Sequence, residues 1–337
     1  MDKSAQCISS AELLGILRCT KCRSSLKERQ EGLLCPLCGR EFPLVRGVVR
    51  FVEGGQYAES FGWQWRRYSK TQLEPDGLPN DEDFRKRTGI DPHELRGKLV
   101  LDVGCGMGRF AQVATRNGAR VIGVDLSDAC EVAAQNLVDR DFTAFQADAL
   151  NLPFAAETFD YIYSIGVLHH TPDCEKSFKN LPQYLKPGGT IAIWLYSGYN
   201  KWYRFSDFYR KFTRRISPRV LHSVLRVAVP LFYWLDRGLR SIPAVGRPLA
   251  GLVHYAFPVN LNTNAEARLL DTFDWYSPKY QSKHTNEEVF RWFESCGLTA
   301  LTVGELTLAV RGRKPDAPAT KASEVQERES AWELRAR

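Results

Sequence analysis

The sequence lacks the features that would place the chain in or beyond a membrane. Its first residues, MDKSAQCISSAELLG, have no basic start followed by an apolar run and a small-residue cleavage site, so no secretory signal is read there. Nor is there an unbroken run of the ~20 apolar residues that a bilayer span needs. The nearest, Val220 to Leu235, is interrupted by His222, Arg226 and Pro230. There is no internal repeat and no pairing pattern among Cys7, Cys105, Cys130, Cys174 and Cys296, five of nine cysteines. That usage suits a reducing compartment, and the expectation is a cytoplasmic protein. What is present, 44% hydrophobic and 25% charged residues over 337 positions, is enough for one large core and a small appended module.

Charge is unevenly placed. Residues 201–247 hold eleven Lys/Arg against Asp207 and Asp236, a segment charge of +9 in a chain of +7. Something acidic is expected to meet this segment, and peripheral contact with the inner face of a membrane is one expectation. The segment also carries apolar residues at helical spacing: Leu221, Val224, Leu225, Ala228, Leu231, Phe232 and Leu235. A substrate lid is the other reading of that stripe.

The remaining four cysteines stand as Cys19-x2-Cys22-x12-Cys35-x2-Cys38, two knuckles spaced for a closed tetrahedral site. Four thiolates leave no open position for water, so a bound Zn2+ is expected to be structural; an iron centre is the alternative. Residues 1–53 are read as this zinc ribbon and 54–95 as connector or lid helices, with an aromatic cluster at Phe61, Trp63, Trp65 and Tyr68.

From Leu99 a strand–helix alternation begins: strands over Leu99 to Val103, Arg120 to Val124, Thr143 to Ala147, Phe159 to Ser164 and Thr190 to Tyr196, joined by helical stretches. Apolar strands alternating with helices predict an α/β fold with a doubly wound, mostly parallel sheet. Residues 96–312 are assigned to this domain, 197–265 to a helical basic insertion after the fifth strand, and 313–337 to a disordered tail. Asp102-Val-Gly104-Cys105-Gly106-Met-Gly108 lies between the first strand and its helix, where glycines let the backbone approach a nucleotide-like ligand. A dinucleotide fingerprint would place its third glycine at Arg109; here the spacing is G-x-G-x-G.

The runs LVLDVGCGMGRF, VIGVDLSDA, FQADALNLPF, FDYIYSIGVLHHTPD and LKPGG resemble, in order and spacing, the successive motifs of class I S-adenosylmethionine-dependent methyltransferases of the ubiquinone and menaquinone type, densely over about residues 96–196. The ribbon likewise resembles modules attached to several bacterial methyltransferases. The resemblance implies a seven-stranded Rossmann-like sheet and S-adenosylmethionine as donor. It implies that Gly104, Gly106 and Gly108, with Asp102 and Cys105, surround the methionine part. Asp125 and Leu126 would hold the ribose, Asp148 and Ala149 the adenine, and Ser164 would stand beside them.

The acceptor is expected beyond the fourth strand. Ser164-Ile-Gly-Val167 replaces the Asn/Asp-Pro-Pro-Tyr/Phe run of amino-methyltransferases. That favours a small or lipid-linked acceptor methylated on oxygen or carbon. His169 and His170 are candidate general bases, since an imidazole titrates near neutrality. Tyr280 and His284, in DTFDWYSPKYQSKHTNEEVF, are further candidates, although Thr285 and Glu288 also form a capping box. A zinc-ribbon RNA methyltransferase and a non-catalytic donor-binding adaptor are the competing readings. Nucleic acid is disfavoured because the ribbon offers no aromatic stacking platform.

Overall fold

A computed structural model describes residues 10–52, 57–73, 80–199 and 204–317. Cys7 and the expected tail beyond 317 lie outside the described residues. The strands are β1 (Lys27–Arg29), β2 (Gly32–Leu34), β3 (Glu41–Val45), β4 (Val48–Arg50), β5 (Leu99–Val103), β6 (Arg120–Asp125), β7 (Phe142–Gln146), β8 (Phe159–Ile165), β9 (Leu185–Trp194), β10 (Thr299–Val303) and β11 (Ala309–Arg313). The helices are α1 (Ser10–Ile16), α2 (Glu59–Arg67), α3 (Asn80–Thr88), α4 (Arg109–Arg116), α5 (Ala129–Asn136), α6 (Cys174–Lys179), α7 (Arg204–Thr213), α8 (Pro218–Arg240), α9 (Gly246–Ala256), α10 (Ala265–Tyr276) and α11 (Asn286–Ser295).

The strands run β1-β2-β3-β4-β7-β6-β5-β8-β9-β11-β10 in a single Rossmann-like sheet. From β4 to β9 every pairing is parallel; β11 returns antiparallel beside β9, with β10 outside it. The strand order reverses beside β5, and the crevice at that switch point is where such sheets bind ligands. β5 is buried at all five positions, as a strand covered on both faces must be.

Seven strands were expected in the α/β unit apart from the ribbon, and among the described residues the sheet has eleven. The ribbon supplies the other four: Val49 and Arg50 of β4 pair with Phe145 and Gln146 of β7. The ribbon is therefore fused to the α/β unit and shares its core. Leu17, Cys19, Leu33, Cys35, Phe42 and Phe51 belong to one buried cluster with Phe145, Phe154 and Ile162. Arg18 N donates to Pro153 O at 2.8 Å, and Arg23 Nη1 to Leu152 O at 2.7 Å. Arg50, itself buried, pairs with Glu131 and donates to Gln146 Oε1 at 2.8 Å, so the junction's charge is satisfied internally.

Two boundaries shift. Arg313 and Lys314, expected in the tail, belong to the fold: β11 includes Arg313, and Lys314 Nζ donates to Leu185 O at 2.8 Å. The inserted helices continue past 265 into α10, begun by Asn264, whose side chain accepts from Glu266 N and Ala267 N. The apolar stripe of α8 does not form one face. Leu221 and Leu225 are buried with Val229 against Phe273 and Tyr276, whereas Val224, Leu231 and Leu235 are exposed.

Candidate active site

A cavity of about 860 Å³ opens at the carboxyl edge of the sheet. Val103 and Gly104 bring the end of β5 to it, Val124 and Asp125 the end of β6, Ile165 the end of β8 and Trp194 the end of β9. Gly104 has φ +82°, and a Cβ there would lie 2.3 Å from the Val167 side chain, so only glycine fits. At Gly106, φ +52°, a Cβ would approach Trp65 Nε1 to 3.2 Å. The Asp125 carboxylate, at the tip of β6, accepts from Gly106 N at 3.0 Å, Ser127 N at 2.8 Å and Ser127 Oγ at 2.7 Å. Burial pushes its pKa up, and these three donors oppose that rise.

Of the residues expected around the donor, Gly104, Cys105, Gly106, Asp125, Leu126 and Ala149 line this cavity. Four are placed differently. Asp102 is buried behind the loop, where it accepts the Tyr163 hydroxyl at 3.1 Å. Burial raises its pKa to about 8. Ser164 is wholly buried and donates to Val103 O at 2.8 Å, tying β8 to β5 rather than facing a ligand. Gly108 caps α4 with φ +95° and packs on Leu137. Asp148 stands between the wall residues Ala147 and Ala149, and its Oδ1 accepts from Leu150 N at 2.9 Å.

The acceptor candidates separate as well. His170 is on the cavity wall and His169 is not. His169 is fully buried, stacked on Tyr196 with ring centroids 4.0 Å apart, and neither ring nitrogen has a hydrogen-bond partner among the described residues. Burial holds its pKa well below the usual histidine range. It fills core beneath the site. His284 is also off the wall: Nε2 lies 2.7 Å from Ser282 Oγ, Nδ1 3.4 Å from Glu288 Oε2, and the ring packs edge-on to Trp292 at 4.8 Å. Tyr280 contributes its backbone, since its carbonyl oxygen lies 2.9 Å from His170 Nδ1, and its ring packs on Tyr57 at 5.3 Å.

A carbonyl can only accept, so His170 Nδ1 carries the hydrogen and Nε2 is left with its lone pair. Nε2 is buried and has no partner among the described residues. Burial lowers the His170 pKa, opposed by the Asp274 charge and the Tyr280 carbonyl, so the ring is neutral at physiological pH. Gln64 Oε1 is a second buried, unpartnered acceptor on a side chain of the cavity wall. Both residues belong to the cavity wall, and each holds one buried acceptor without a partner among the described residues.

Much of the wall comes from helices outside the glycine-loop and strand-end motifs. Helix α2, in the supposed connector, delivers Phe61, Gln64 and Trp65, with Tyr57 just before it. Phe61 packs on His170 at 5.0 Å. Helix α10 adds Leu270, Asp271, Asp274 and Trp275. Tyr196 OH donates to Asp274 Oδ2 at 2.9 Å, and Asn260 Nδ2 to Asp271 Oδ2 at 2.9 Å. Burial, helped by Asp274, raises the Asp271 pKa to about 6. The aromatic cluster of α2 was a visible signal for this wall. The acids of α10 were not, because nothing in the sequence shows which distant helix closes a crevice.

In the ribbon, the sulfurs of Cys19, Cys22, Cys35 and Cys38 all lie within 4.8 Å of one another. Cys22 and Cys35 are 3.4 Å apart and Cys19 and Cys38 3.6 Å. A tetrahedron with metal–sulfur bonds of ~2.3 Å has edges of ~3.8 Å, so the set fits one ion. Lys21 N and Cys38 N also point at Cys19 Sγ and Cys35 Sγ, at 3.4 and 3.5 Å, as knuckle backbones do.

Residues 101–193 match the family described as Methyltransferase domain. The chain is 28% identical over 167 residues to the ubiquinone biosynthesis O-methyltransferase of Coxiella burnetii (strain Dugway 5J108-111), covering 48% of this chain and 69% of that protein. It is 29% identical over 185 residues to the Stutzerimonas stutzeri protein of the same name, covering 52% and 79%. To the sterol 24-C-methyltransferase of Schizosaccharomyces pombe it is 30% identical over 146 residues, covering 41% and 38%. A solved S-adenosylmethionine-dependent methyltransferase from Mesorhizobium loti is 34% identical, at a TM-score of 0.28, over 30% of this chain. The chain spans about half the length of that structure, 47%. On the matched family and the curated relatives, the chain is an S-adenosylmethionine-dependent methyltransferase, with its catalytic domain over at least residues 101–193.

Proposed function

We propose that this enzyme methylates an oxygen or carbon of a small or lipid-linked acceptor with a flat apolar body. The names of its curated relatives include both O- and C-methyltransferases of small molecules. The cavity supplies aromatic surface for such a body through Tyr57, Phe61, Trp65, Trp194 and Trp275, while Arg87, Arg109, Asp125, Asp271 and Asp274 make the rest of its wall polar. In this reading the Asp125 carboxylate accepts from the donor's ribose hydroxyls, Gly104 to Gly106 flank its methionine part, and Leu126, Ala147 and Ala149 wall its adenine. The donor supplies a sulfonium methyl carbon, which the acceptor must approach in line.

His170 is the observation that carries the reading. Its side chain belongs to the cavity wall, its Nδ1–H is committed to Tyr280 O, its buried Nε2 has no partner among the described residues, and the Asp274 charge favours the protonated form. A hydroxyl proton can pass to Nε2 as the oxygen attacks. Labelled donor incubated with extracted small molecules, lipids and RNA tests the acceptor class. Label is expected in the first two fractions, and label in RNA alone would overturn the proposal. On the acceptor so found, His170→Gln is expected to lower kcat ~10²-fold with donor affinity retained. His169→Leu, which changes packing only, should fall far less; equal losses would return His170 to structure.

We also propose that the four ribbon cysteines hold one structural Zn2+. The compact sulfur tetrahedron and its backbone donors support this, and a four-thiolate ion has no free position for chemistry.

A further inference from the structure

Helix α8 is apolar on two sides. Its inner side, Leu221, Leu225, Val229 and Tyr233, packs on α10 and on Trp63 of α2. Its outer side carries Val220, Val224, Val227, Leu231 and Trp234, which are 54% to 67% exposed. These five recur at spacings of four, three, four and three, one continuous ridge on a helix. Around α8 further large apolar side chains are bare: Phe208 and Phe212 on α7, Ile242 and Val245 in the turn, Leu249 and Leu252 on α9. A soluble surface does not leave so much apolar area uncovered without a partner.

The cations show which partner fits. At about 100° per residue, Arg219, Arg226 and Arg237 fall within about 20° of one another, in a row between the outer ridge and the buried side. All three are exposed. Lys211, Arg214, Arg215 and Arg247 are exposed beside them. Among the described residues, the ion pairs given for this segment are Arg210 and Lys283 with Asp207, and Arg240 with Asp236. Most of the +9 charge is therefore available to an outside anion.

We propose that the outer face of α8 seats the enzyme on an anionic phospholipid surface. The ridge enters the acyl boundary, Trp234 lies near its edge, and the arginine row meets phosphate head groups. A second copy of the chain would suit the ridge but brings no anion to the exposed arginine row, which a phospholipid head group supplies. No helix among the described residues is long and apolar enough to cross a membrane, so the attachment is peripheral. Seating would also orient the active site. His222 on the inner side of α8 bonds Tyr68 OH through Nε2 at 2.7 Å, just beyond α2, the helix that walls the cavity.

The test is co-sedimentation of the full chain with vesicles of phosphatidylcholine alone and of phosphatidylcholine mixed with phosphatidylglycerol, at low and high salt. Binding to the anionic vesicles is expected to exceed neutral binding about tenfold or more and to fall with salt. Leu231→Glu/Trp234→Glu and, separately, Arg219→Glu/Arg226→Glu should each lose about tenfold in vesicle affinity. All four positions are exposed, so Tm and donor affinity should stay unchanged, which keeps this result independent of the donor site. Failure of the wild type to bind anionic vesicles at low salt would overturn the proposal. Ridge variants that bind like the wild type would overturn it too. So would a wild-type dimer in sedimentation velocity that the ridge variant abolishes, since the ridge would then be a self-contact.

Discussion

Single residues in this site are decided by where their hydrogen bonds already go. Asp125 has both carboxylate oxygens engaged by Gly106 and Ser127, so it fixes the glycine loop and presents its remaining lone pairs to the cavity. Asp125→Ala is expected to weaken donor affinity about tenfold to a hundredfold, the range for one lost hydrogen bond to a charged acceptor. Titration calorimetry checks this, and unchanged affinity would take Asp125 out of the donor site. Asp102, in the same motif, does different work. With its pKa raised to about 8 by burial, it keeps a proton in the folded chain that the unfolded chain, with a carboxylate value of about 4, has lost. The folded state then binds more protons than the unfolded state between those values, so this group lowers stability as pH rises from about 4 to about 8. Asp102→Asn keeps an acceptor for Tyr163 and cannot ionise. Its thermal unfolding series should lose that slope and show a higher Tm than wild type near pH 8; parallel curves would show that Asp102 is already ionised in the fold.

At the scale of elements, local chemistry and tertiary placement can be told apart. Helix α11 starts where the sequence says it should: Thr285 Oγ1 accepts from Glu288 N at 3.3 Å, and Glu288 Oε2 accepts from Thr285 N at 3.1 Å. Val289 and Phe293 then bury its inner face in the main core. Thr285→Ala is expected to cost about 1 kcal/mol, read by denaturant unfolding. A loss within error would mean that burial alone holds the helix end. The same segment shows the limit of local reading, because His284 looked like a site residue and instead sits on Trp292 beside this cap. Helices α2 and α10 reverse the lesson. Read respectively as connector or lid and as the run into the segment of Tyr280 and His284, they supply Phe61, Gln64, Trp65, Asp271 and Asp274 to the wall.

Across the whole molecule, the ribbon and the α/β unit stand or fall together. β4 covers the β7 edge, a row of backbone groups that would otherwise be free to pair with other chains. Cys19 and Cys35 lie in the same core as Phe145 and Phe154. Elemental analysis of protein purified without added metal is expected to give one zinc per chain. Removing it with a chelator should lower Tm and promote aggregation through the uncovered β7 edge, rather than release a ribbon that unfolds alone. Iron in place of zinc, or a metal-free chain with unchanged Tm, would refute the assignment.

The sequence by itself determined the parts whose physics is local. Glycines at positive φ, a carboxylate ending an apolar strand, cysteines in paired knuckles and a cap three residues from its glutamate each carry their reason within a few positions. Alternating strands and helices then dictated a parallel sheet and put the crevice at its carboxyl edge. Tertiary structure alone decided which side chains reach that crevice. His169 and His170 are adjacent and chemically identical, yet a single turn of 3-10 helix sends one behind the wall residue Tyr196, fully buried, and the other to the cavity wall. It decided too that the ribbon's last strand extends the main sheet, and that α8 buries one apolar side and bares the other. Those outcomes depend on which distant surfaces meet, and periodicity along the chain records that a face is apolar without recording what covers it.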